Sequence, residues 1–184
     1  VVVNLPASLK SFSGNAFTGC DSLVKITVDE NSESYKAVGS AIYTADGKAL
    51  VLAGNKKTTT LVVADGTEVI KANAFELAKN VAEISLPATL TEIQDNALDE
   101  TAWFKNANGL VYAGKVLYKV KGAIANVAVA EGTVAIADNA VNNASVTSVV
   151  LPQSLNRIGN SAFKGSNITS VVISDNVEII KDFA

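Results

Sequence analysis

Few residues of this chain combine a reactive side chain with a neighbour that could activate it. The one cysteine is Cys20, and the sequence contains no histidine. A nucleophilic thiol needs an adjacent base, and histidine is the commonest general base and a frequent metal ligand. Without such partners, Cys20 is predicted to be a buried packing residue. A single cysteine also excludes an internal disulfide and a cysteine-based zinc site.

Clustered carboxylates are the second group that could do chemistry. Asp29, Glu30 and Glu33 form one cluster, and Asp99 and Glu100 form another. Paired carboxylates can serve as acid and base, or can bind Ca²⁺. Both clusters fall at predicted strand ends and turns, where acidic side chains commonly solvate loops, and no regularly spaced set of oxygen ligands is present. We therefore predict that the chain is not an enzyme and has no cofactor or metal site.

The charge balance and the length of the apolar runs argue against two further classes of partner, which are nucleic acids and membranes. The net charge is −3, and Arg157 is the only arginine. Nucleic-acid binding favours clustered Lys and Arg on one face, so no nucleic-acid partner is expected. No run approaches the roughly 18 to 20 apolar residues that cross a bilayer, so no membrane insertion is expected within this segment.

Four aromatic residues are clustered in sequence and could contact a ligand. They are Trp103, Phe104, Tyr112 and Tyr118. Aromatic rings stack on sugars and anchor protein interfaces. The interpretation that we favour is a small core beneath an inserted hairpin, with a ligand role as the alternative.

A repeat organises the elements that carry these residues. An alanine followed by a large apolar residue recurs, with an aliphatic or aromatic residue four positions earlier and an aliphatic residue eleven positions earlier. The pairs are Ala16-Phe17, Ala74-Phe75, Ala97-Leu98, Ala140-Val141 and Ala162-Phe163. The interval from Ala140 to Ala162 is 22 residues, within the range of about 20 to 29 residues that is typical of leucine-rich repeats.

A short strand precedes each of these alanines, with the spacing L-x-x-L-x-L. The alternation predicts one buried and one outward side. The outward residues should line a flat concave face, which suits a broad protein contact better than a deep pocket. These residues are Lys25 and Thr27, Thr60 and Val62, Glu83 and Ser85, Asn126 and Ala128, Ser148 and Val150, Ser170 and Val172.

Two intervals, Ala16 to Ala74 and Ala97 to Ala140, are longer than one repeat. Each contains an aromatic residue followed eight positions later by a tyrosine, and then a Gly-Lys turn signal. We predict a hairpin-containing insert at 32–54 and another at 101–122, with returning strands at 49–52 and 116–118. The whole chain, 1–184, is predicted to be one repeat domain and a fragment of a longer array.

The run from Leu151-Pro152 through Ala162-Phe163-Lys164-Gly165 resembles the BspA-like leucine-rich repeat. The same signature recurs from Leu5-Pro6 through Ala16-Phe17-Thr18-Gly19-Cys20, where Cys20 matches the cysteine usual in that family. The segment 101–118 is similar to hairpin inserts of the same family. Leu98 and Val141 stand where phenylalanine is usual, and most repeats lack the cysteine.

The resemblance implies a leucine-rich-repeat solenoid with mainly short parallel β-strands on the concave face, short helical or irregular convex segments and two inserted β-hairpins. It also implies a bacterial extracellular or cell-surface scaffold for adhesion. The expected partner is a host matrix or surface protein, or another microbe. Two alternatives stay open, which are a glycan-binding module of a surface nutrient-capture system and a non-binding structural spacer. The candidate binding residues are Lys25, Thr27, Glu83, Ser85, Asn126, Ser148, Ser170, Trp103, Tyr112 and Tyr118.

Overall fold

Short strands and turns make up nearly the whole computed structural model, which describes residues 1–20 and 22–184. The chain forms a β-solenoid of about eight turns, so the predicted repeat solenoid is confirmed. We call each turn a rung. The strands are β1 (Val2–Leu5), β2 (Lys25–Val28), β3 (Tyr35–Val38), β4 (Ala41–Thr44), β5 (Ala49–Ala53), β6 (Thr60–Val62), β7 (Val69–Ile70), β8 (Glu83–Ser85), β9 (Glu92–Ile93), β10 (Gly109–Ala113), β11 (Val116–Lys121), β12 (Asn126–Ala128), β13 (Ala135–Ile136), β14 (Ser148–Val150), β15 (Arg157–Ile158) and β16 (Ile179–Ile180), and one short helix, α1 (Ala102–Lys105), is present among the described residues.

The L-x-x-L-x-L strands form the first side of the rungs, which we call the first ladder. Strand β1 pairs with β2, β6 pairs with β8, and β12 pairs with β14, all in parallel. The middle residue of a three-residue strand points inward: Leu61 and Val127 are buried, whereas the residues on either side of each are exposed. This period-two burial is the pattern that the sequence predicted.

A second set of parallel strands, the second ladder, follows the first ladder along each rung, and only its members at 49–52 and 116–118 were predicted as strands. Strand β5 pairs with β7, and β11, β13, β15 and β16 pair in that order, again in parallel. These pairs are only two residues long, too short to show an alternating pattern in the sequence. Strands β7, β13 and β15 each contain a buried isoleucine four positions before the alanine of the repeat. These residues are Ile70, Ile136 and Ile158.

The third side of the rung is a tight turn with left-handed backbone. Five residues that each precede an alanine have φ between 51° and 57°: Asn73, Asn96, Asn139, Ser161 and Phe183. The next alanine is buried at Ala74, Ala97, Ala140 and Ala162. Backbone hydrogen bonds link this side to the following rung, for example from the Val141 N–H to the Ala162 carbonyl at 2.7 Å. A small side chain suits this position, because neighbouring backbones approach closely there.

The chain separates into two compact units, which are described one at a time. Unit 1 contains Val1–Thr89 and Asn96–Asn106, and unit 2 contains Leu90–Asp95 and Ala107–Ala184. The largest fully buried side chains of unit 1 are Tyr43, Phe75, Leu50, Leu52, Ile70 and Leu98, and those of unit 2 are Tyr118, Leu90, Ile93, Leu117, Ile136 and Leu155.

Both inserted hairpins are present, and their returning strands belong to the core. Strands β3, β4 and β5 form an antiparallel meander in unit 1, and β10 and β11 form a hairpin in unit 2. All five residues of β5 are buried. The inserts therefore do not merely project from the solenoid, because each supplies a strand of the second ladder.

The prediction that Cys20 is buried is wrong. Its side chain is exposed, and its backbone N–H donates to the Phe17 carbonyl at 3.0 Å within a turn. The turn that follows the Ala-Phe pair directs the thiol toward solvent rather than into the core.

Candidate binding surfaces

The outward residues of the first ladder in unit 1 are chemically mixed. Lys25 lies beside Val2 in the register of β1 and β2, and Thr27 lies beside Asn4. The Thr27 hydroxyl donates to the Asn4 side-chain oxygen at 2.9 Å, so part of its hydrogen-bonding capacity is used within the ladder.

The outward residues of the second strand pair of unit 1, β6 and β8, are also a mixture of polar and apolar side chains. Glu83 lies beside Thr60, and Ser85 lies beside Val62, which is 75% exposed. Val62 is therefore an apolar side chain next to a polar neighbour, and β6 and β8 carry no continuous apolar stripe.

In unit 2 the outward residues separate into two columns. The polar column consists of Asn126, Ser148 and Ser170, and the apolar column consists of Ala128, Val150 and Val172. The Ser148 hydroxyl donates to the Asn126 side-chain oxygen at 2.6 Å. In the register of β12 and β14, Ala128 lies directly beside Val150.

The apolar column is accessible to solvent. Val150 is 67% exposed and Val172 is 86% exposed. Both valines, with Ser148 and Ser170, line a shallow groove of about 260 Å³ whose lining residues are all uncharged. An exposed apolar stripe with a neutral hydroxyl border is a typical feature of a protein contact surface.

Trp103 and Phe104 lie in α1 of unit 1, which is hydrogen-bonded to the segment just before β8. The Trp103 N–H donates to the Val81 carbonyl at 2.9 Å, and Thr101 caps the helix by accepting from the Phe104 N–H at 3.1 Å. Both aromatic side chains are partly buried. Part of the Trp103 ring remains accessible, but its backbone belongs to the packing of the rung.

Tyr112 and Tyr118 lie in unit 2 and have different environments. The Tyr112 hydroxyl accepts a hydrogen bond from the Ala130 N–H at 2.9 Å, and the ring is partly buried. Tyr118 has no exposed surface. Because a buried ring cannot contact a ligand, Tyr118 is a core residue and is left out of the proposed surface.

The most strongly engaged carboxylate is Glu92, in unit 2. It forms ion pairs with Arg157 and with Lys181, the latter at 2.8 Å, and accepts a hydrogen bond from Gln94 at 2.8 Å. Burial by itself would raise the pKa of Glu92, but the hydrogen bonds from Lys181 and Gln94 and the charge of Arg157 lower the pKa below its usual 4.5. A carboxylate held ionised in this way is suited to structure rather than to proton transfer.

Two of the carboxylates singled out in the sequence, Asp29 and Glu100, make local contacts. Asp29 accepts from the Asn31 N–H at 2.9 Å, which closes a turn. The hydrogen bond from Lys105, at 2.9 Å, is the main cause that lowers the pKa of Glu100, and Lys79 lies at 3.9 Å. Among the described residues, no group of three His, Cys, Asp or Glu side chains could hold a metal ion.

A column of asparagine amides was missed by the sequence analysis. The side chains of Asn80, Asn143 and Asn167 each donate to a carbonyl of the preceding rung at 2.7 Å, on Lys56, Gly122 and Ala144 respectively. The signal was available, because an asparagine stands a few residues before each of the strands concerned. The amides join rungs in both units and are therefore structural.

A family model described as BspA type leucine rich repeat region matches the chain in six copies, over residues 2–43, 51–109 and 112–184. None of the curated proteins matches the sequence significantly. Within the described residues, no helix has the length and apolar character needed to cross a bilayer.

Two solved structures share the fold. A leucine-rich repeat protein from Eubacterium ventriosum is 17% identical, with a TM-score of 0.56 over 95% of this chain and 62% of that one. The pneumococcal vaccine antigen PcpA is 18% identical, with a TM-score of 0.50 over 99% of this chain and 41% of that one. The chain thus spans less than two thirds of either protein.

Proposed function

The chain belongs to the BspA type leucine-rich repeat family, and from this premise we propose that it is a protein-binding scaffold whose contact surface is the first ladder of unit 2. The proposal places the polar column Asn126, Ser148 and Ser170 and the apolar column Ala128, Val150 and Val172 against a protein partner. Leucine-rich repeat proteins are generally scaffolds without enzymatic activity, and their repeats generally mediate protein interactions.

The observation that carries this proposal is the apolar column. Two valines that are 67% and 86% exposed stand at the same rung position, and no charged residue lines the groove between them. Removing apolar surface from water contributes roughly 25 cal/mol per Å². The adjacent polar column would supply hydrogen bonds that fix the partner's register.

We further propose that the scaffold acts outside the cell or at the cell surface, in adhesion to a host matrix or surface protein or to another microbe. PcpA, which has the same fold, is a pneumococcal vaccine antigen. The low identity limits that comparison to the fold, so location and adhesion rest on family membership. A non-binding spacer is the alternative if the columns have no partner.

A glycan-binding module is a second candidate, and one observation favours it. Trp103 in unit 1 and Tyr112 in unit 2 both keep part of the side chain exposed. Rings in this state can stack on a sugar. If the chain binds glycans in this way, binding should depend on these rings and should not change when the apolar column is altered.

The test is binding of the purified chain and of two matched variants to a panel of immobilised matrix proteins and mucin-type glycans. Val150→Asp places a charge in the apolar column. Val62→Asp places the same charge at the same rung position in unit 1, on a valine that is also well exposed. We expect Val150→Asp to weaken protein binding at least about tenfold, since burying an unpaired charge is costly, and Val62→Asp to leave it nearly unchanged.

Equal loss in both variants would contradict the assignment of the contact to unit 2. Binding to glycans alone, unaffected by Val150→Asp and reduced by Trp103→Ala or Tyr112→Ala, would favour the glycan-binding candidate. Failure to bind any member of the panel would favour the spacer. Unchanged circular dichroism and unfolding temperature are required of each variant, so that lost binding is not lost folding.

A further inference from the structure

A second surface in unit 1 is separate from the proposed protein contact. An apolar pocket of about 270 Å³ lies where the first inserted hairpin enters the solenoid. Its floor is formed by Ile42 and Leu52, which are 2% exposed. Its upper walls include Val24, which is 51% exposed, and the partly buried Leu77.

The pocket exists because the first ladder is interrupted. Strand β2 pairs with β1 on one side, and no other described strand pairs with β2. A hydrogen bond crosses the gap, from the Asn55 side-chain amide to the Val24 carbonyl at 3.2 Å. Apolar side chains that a neighbouring rung would otherwise cover are left lining an opening.

Two glycines form part of the wall of the pocket. Gly39 and Gly54 both line it, and both have left-handed backbone, with φ of 60° and 68°. A Cβ atom on Gly54 would lie 2.9 Å from the Ala78 Cβ, so this wall leaves no room for a side chain. The Gly54 N–H donates to the Ser40 carbonyl at 3.0 Å, which joins the end of β5 to the turn between β3 and β4.

The charge at the rim of the pocket is positive. Lys25 is the single charged residue of the described lining. Within the described part of the chain, neither the Lys25 amine nor the Ser40 hydroxyl has a hydrogen-bond or ion-pair partner. Asn55, by contrast, is already occupied, because its side-chain oxygen accepts from the Lys57 N–H at 2.8 Å.

We propose that this pocket binds a monocarboxylate amphiphile with an apolar tail of medium length. The apolar tail would cover Val24, Ile26 and Leu77, and the carboxylate would accept charge-assisted hydrogen bonds from Lys25 and Ser40. The volume is just below the range of about 300 to 1,000 Å³ typical of small-molecule sites, which suits a tail of medium length rather than a long acyl chain. Lys25, first considered as part of a protein-binding face, would then have its role at this pocket.

The experiment is a titration of the chain with octanoate and with 1-octanol, followed by amide chemical shifts in NMR. The two probes share an apolar tail and differ in charge. We expect both to shift amides of the lining residues, with octanoate the tighter ligand. Lys25→Met should weaken octanoate binding about tenfold and change octanol binding less than about twofold, because only the carboxylate loses its partner. Lys57→Met removes a lysine outside the pocket and should change neither.

A plugging variant tests the position of the tail. Val24→Trp fills the mouth of the pocket from a half-exposed position and should abolish binding of both probes. Val62→Trp adds the same bulk at an exposed valine outside the pocket and should leave both probes bound. The proposal is overturned if neither probe binds at millimolar concentration, if Lys25→Met weakens both probes equally, or if binding survives Val24→Trp in a variant with unchanged unfolding temperature.

Discussion

The residues with left-handed backbone set the geometry of the third side of the rungs. Of the five that precede an alanine, three are asparagine, and the others are Ser161 and Phe183. Asparagine enters the left-handed region more readily than most residues, because its short polar side chain can make local hydrogen bonds. The alanine identified the repeat in the sequence, and the residue before it had no predicted role.

Asn139 allows this role to be measured. Its φ is 53°, and its N–H donates to the Asn160 carbonyl at 2.9 Å. We expect Asn139→Ala to lower the free energy of unfolding by about 1 kcal/mol, because alanine is strained at positive φ, and Asn139→Gly to be nearly neutral. Urea denaturation measures both changes.

Asn15 is the matched control for this prediction. It precedes Ala16 at the same repeat position but does not have positive φ. Asn15→Ala should therefore change stability by less than about 0.5 kcal/mol. Equal losses at Asn15 and Asn139 would show that the asparagine side chain, and not the backbone conformation, is responsible.

At the scale of elements, the two hairpins are joined to the following rung by the same contact. The Tyr43 hydroxyl accepts from the Ala64 N–H at 3.0 Å in unit 1, as Tyr112 accepts from Ala130 in unit 2. Each alanine begins an Ala-x-Gly-Thr turn in which the threonine hydroxyl donates back to the alanine carbonyl, at 2.7 and 2.6 Å respectively. Two inserts that are far apart in sequence are therefore copies of one structural device.

The two tyrosines differ in burial, and this predicts a graded loss of stability. Tyr43 is 1% exposed, and burial raises its pKa, whereas Tyr112 is only partly buried and Ala130 is exposed. Tyr43→Phe should cost about 1 to 2 kcal/mol, because it leaves the Ala64 N–H without a partner in a desolvated site. Tyr112→Phe should cost less than about 0.5 kcal/mol, because water can replace the hydroxyl.

Amide exchange supplies the independent check on this contact. The Ala64 N–H should exchange faster in Tyr43→Phe, and the Ala130 N–H should already exchange quickly in the wild-type chain. If Tyr112→Phe proved to be the more destabilising variant, the explanation by burial would fail.

How far the elements could be predicted depends on the length of their patterns. The first ladder was predicted because L-x-x-L-x-L has enough residues to show alternation, and the hairpins were predicted because Asp46-Gly47 and Gly114 are strong turn signals. Apart from β5 and β11, the strands of the second ladder were not predicted, because a two-residue strand such as β13 has no period. The burial of Tyr118 and the exposure of Cys20 depend on which side of a turn faces the core, and a single sequence does not encode that locally.

At the scale of the whole molecule, the charged cluster of unit 2 shows what a repeat pattern cannot contain. Glu92 and Arg157 are 65 residues apart, and Glu92 and Lys181 are 89 residues apart. Glu92 and Arg157 stand at the same repeat position, five residues before Ala97 and Ala162, but Lys181 stands three residues before Ala184, and the lone arginine had no feature that identified its partner. Such pairs are fixed by how the segment Leu90–Asp95 packs in unit 2, which depends on the complete fold.

We expect this cluster to contribute to the pH dependence of the stability. The sequence has no histidine, so no side chain has an ordinary pKa near neutrality. The folded-state pKa of Glu92 lies below its usual 4.5, so the folded state favours the carboxylate more than the unfolded state does. The stabilisation is therefore fully present above about pH 4.5 and is lost as the pH falls through the lowered folded-state pKa.

Glu92→Gln should remove this dependence. At pH 7 we expect the variant to be less stable by about 2 kcal/mol, because Arg157 and Lys181 lose a charged acceptor in a site where the Glu92 side chain is only 11% exposed. The difference between variant and wild type should shrink as the pH falls below 4.5, since protonated Glu92 is as neutral as glutamine.

Glu100→Gln is the control: its pKa is also lowered, but its side chain is 37% exposed and solvent screens its ion pairs. Urea denaturation of the three proteins between pH 7 and pH 3 gives the free energy of unfolding as a function of pH. If the curve of Glu92→Gln stays parallel to the wild-type curve, the cluster does not control the acid sensitivity of the fold.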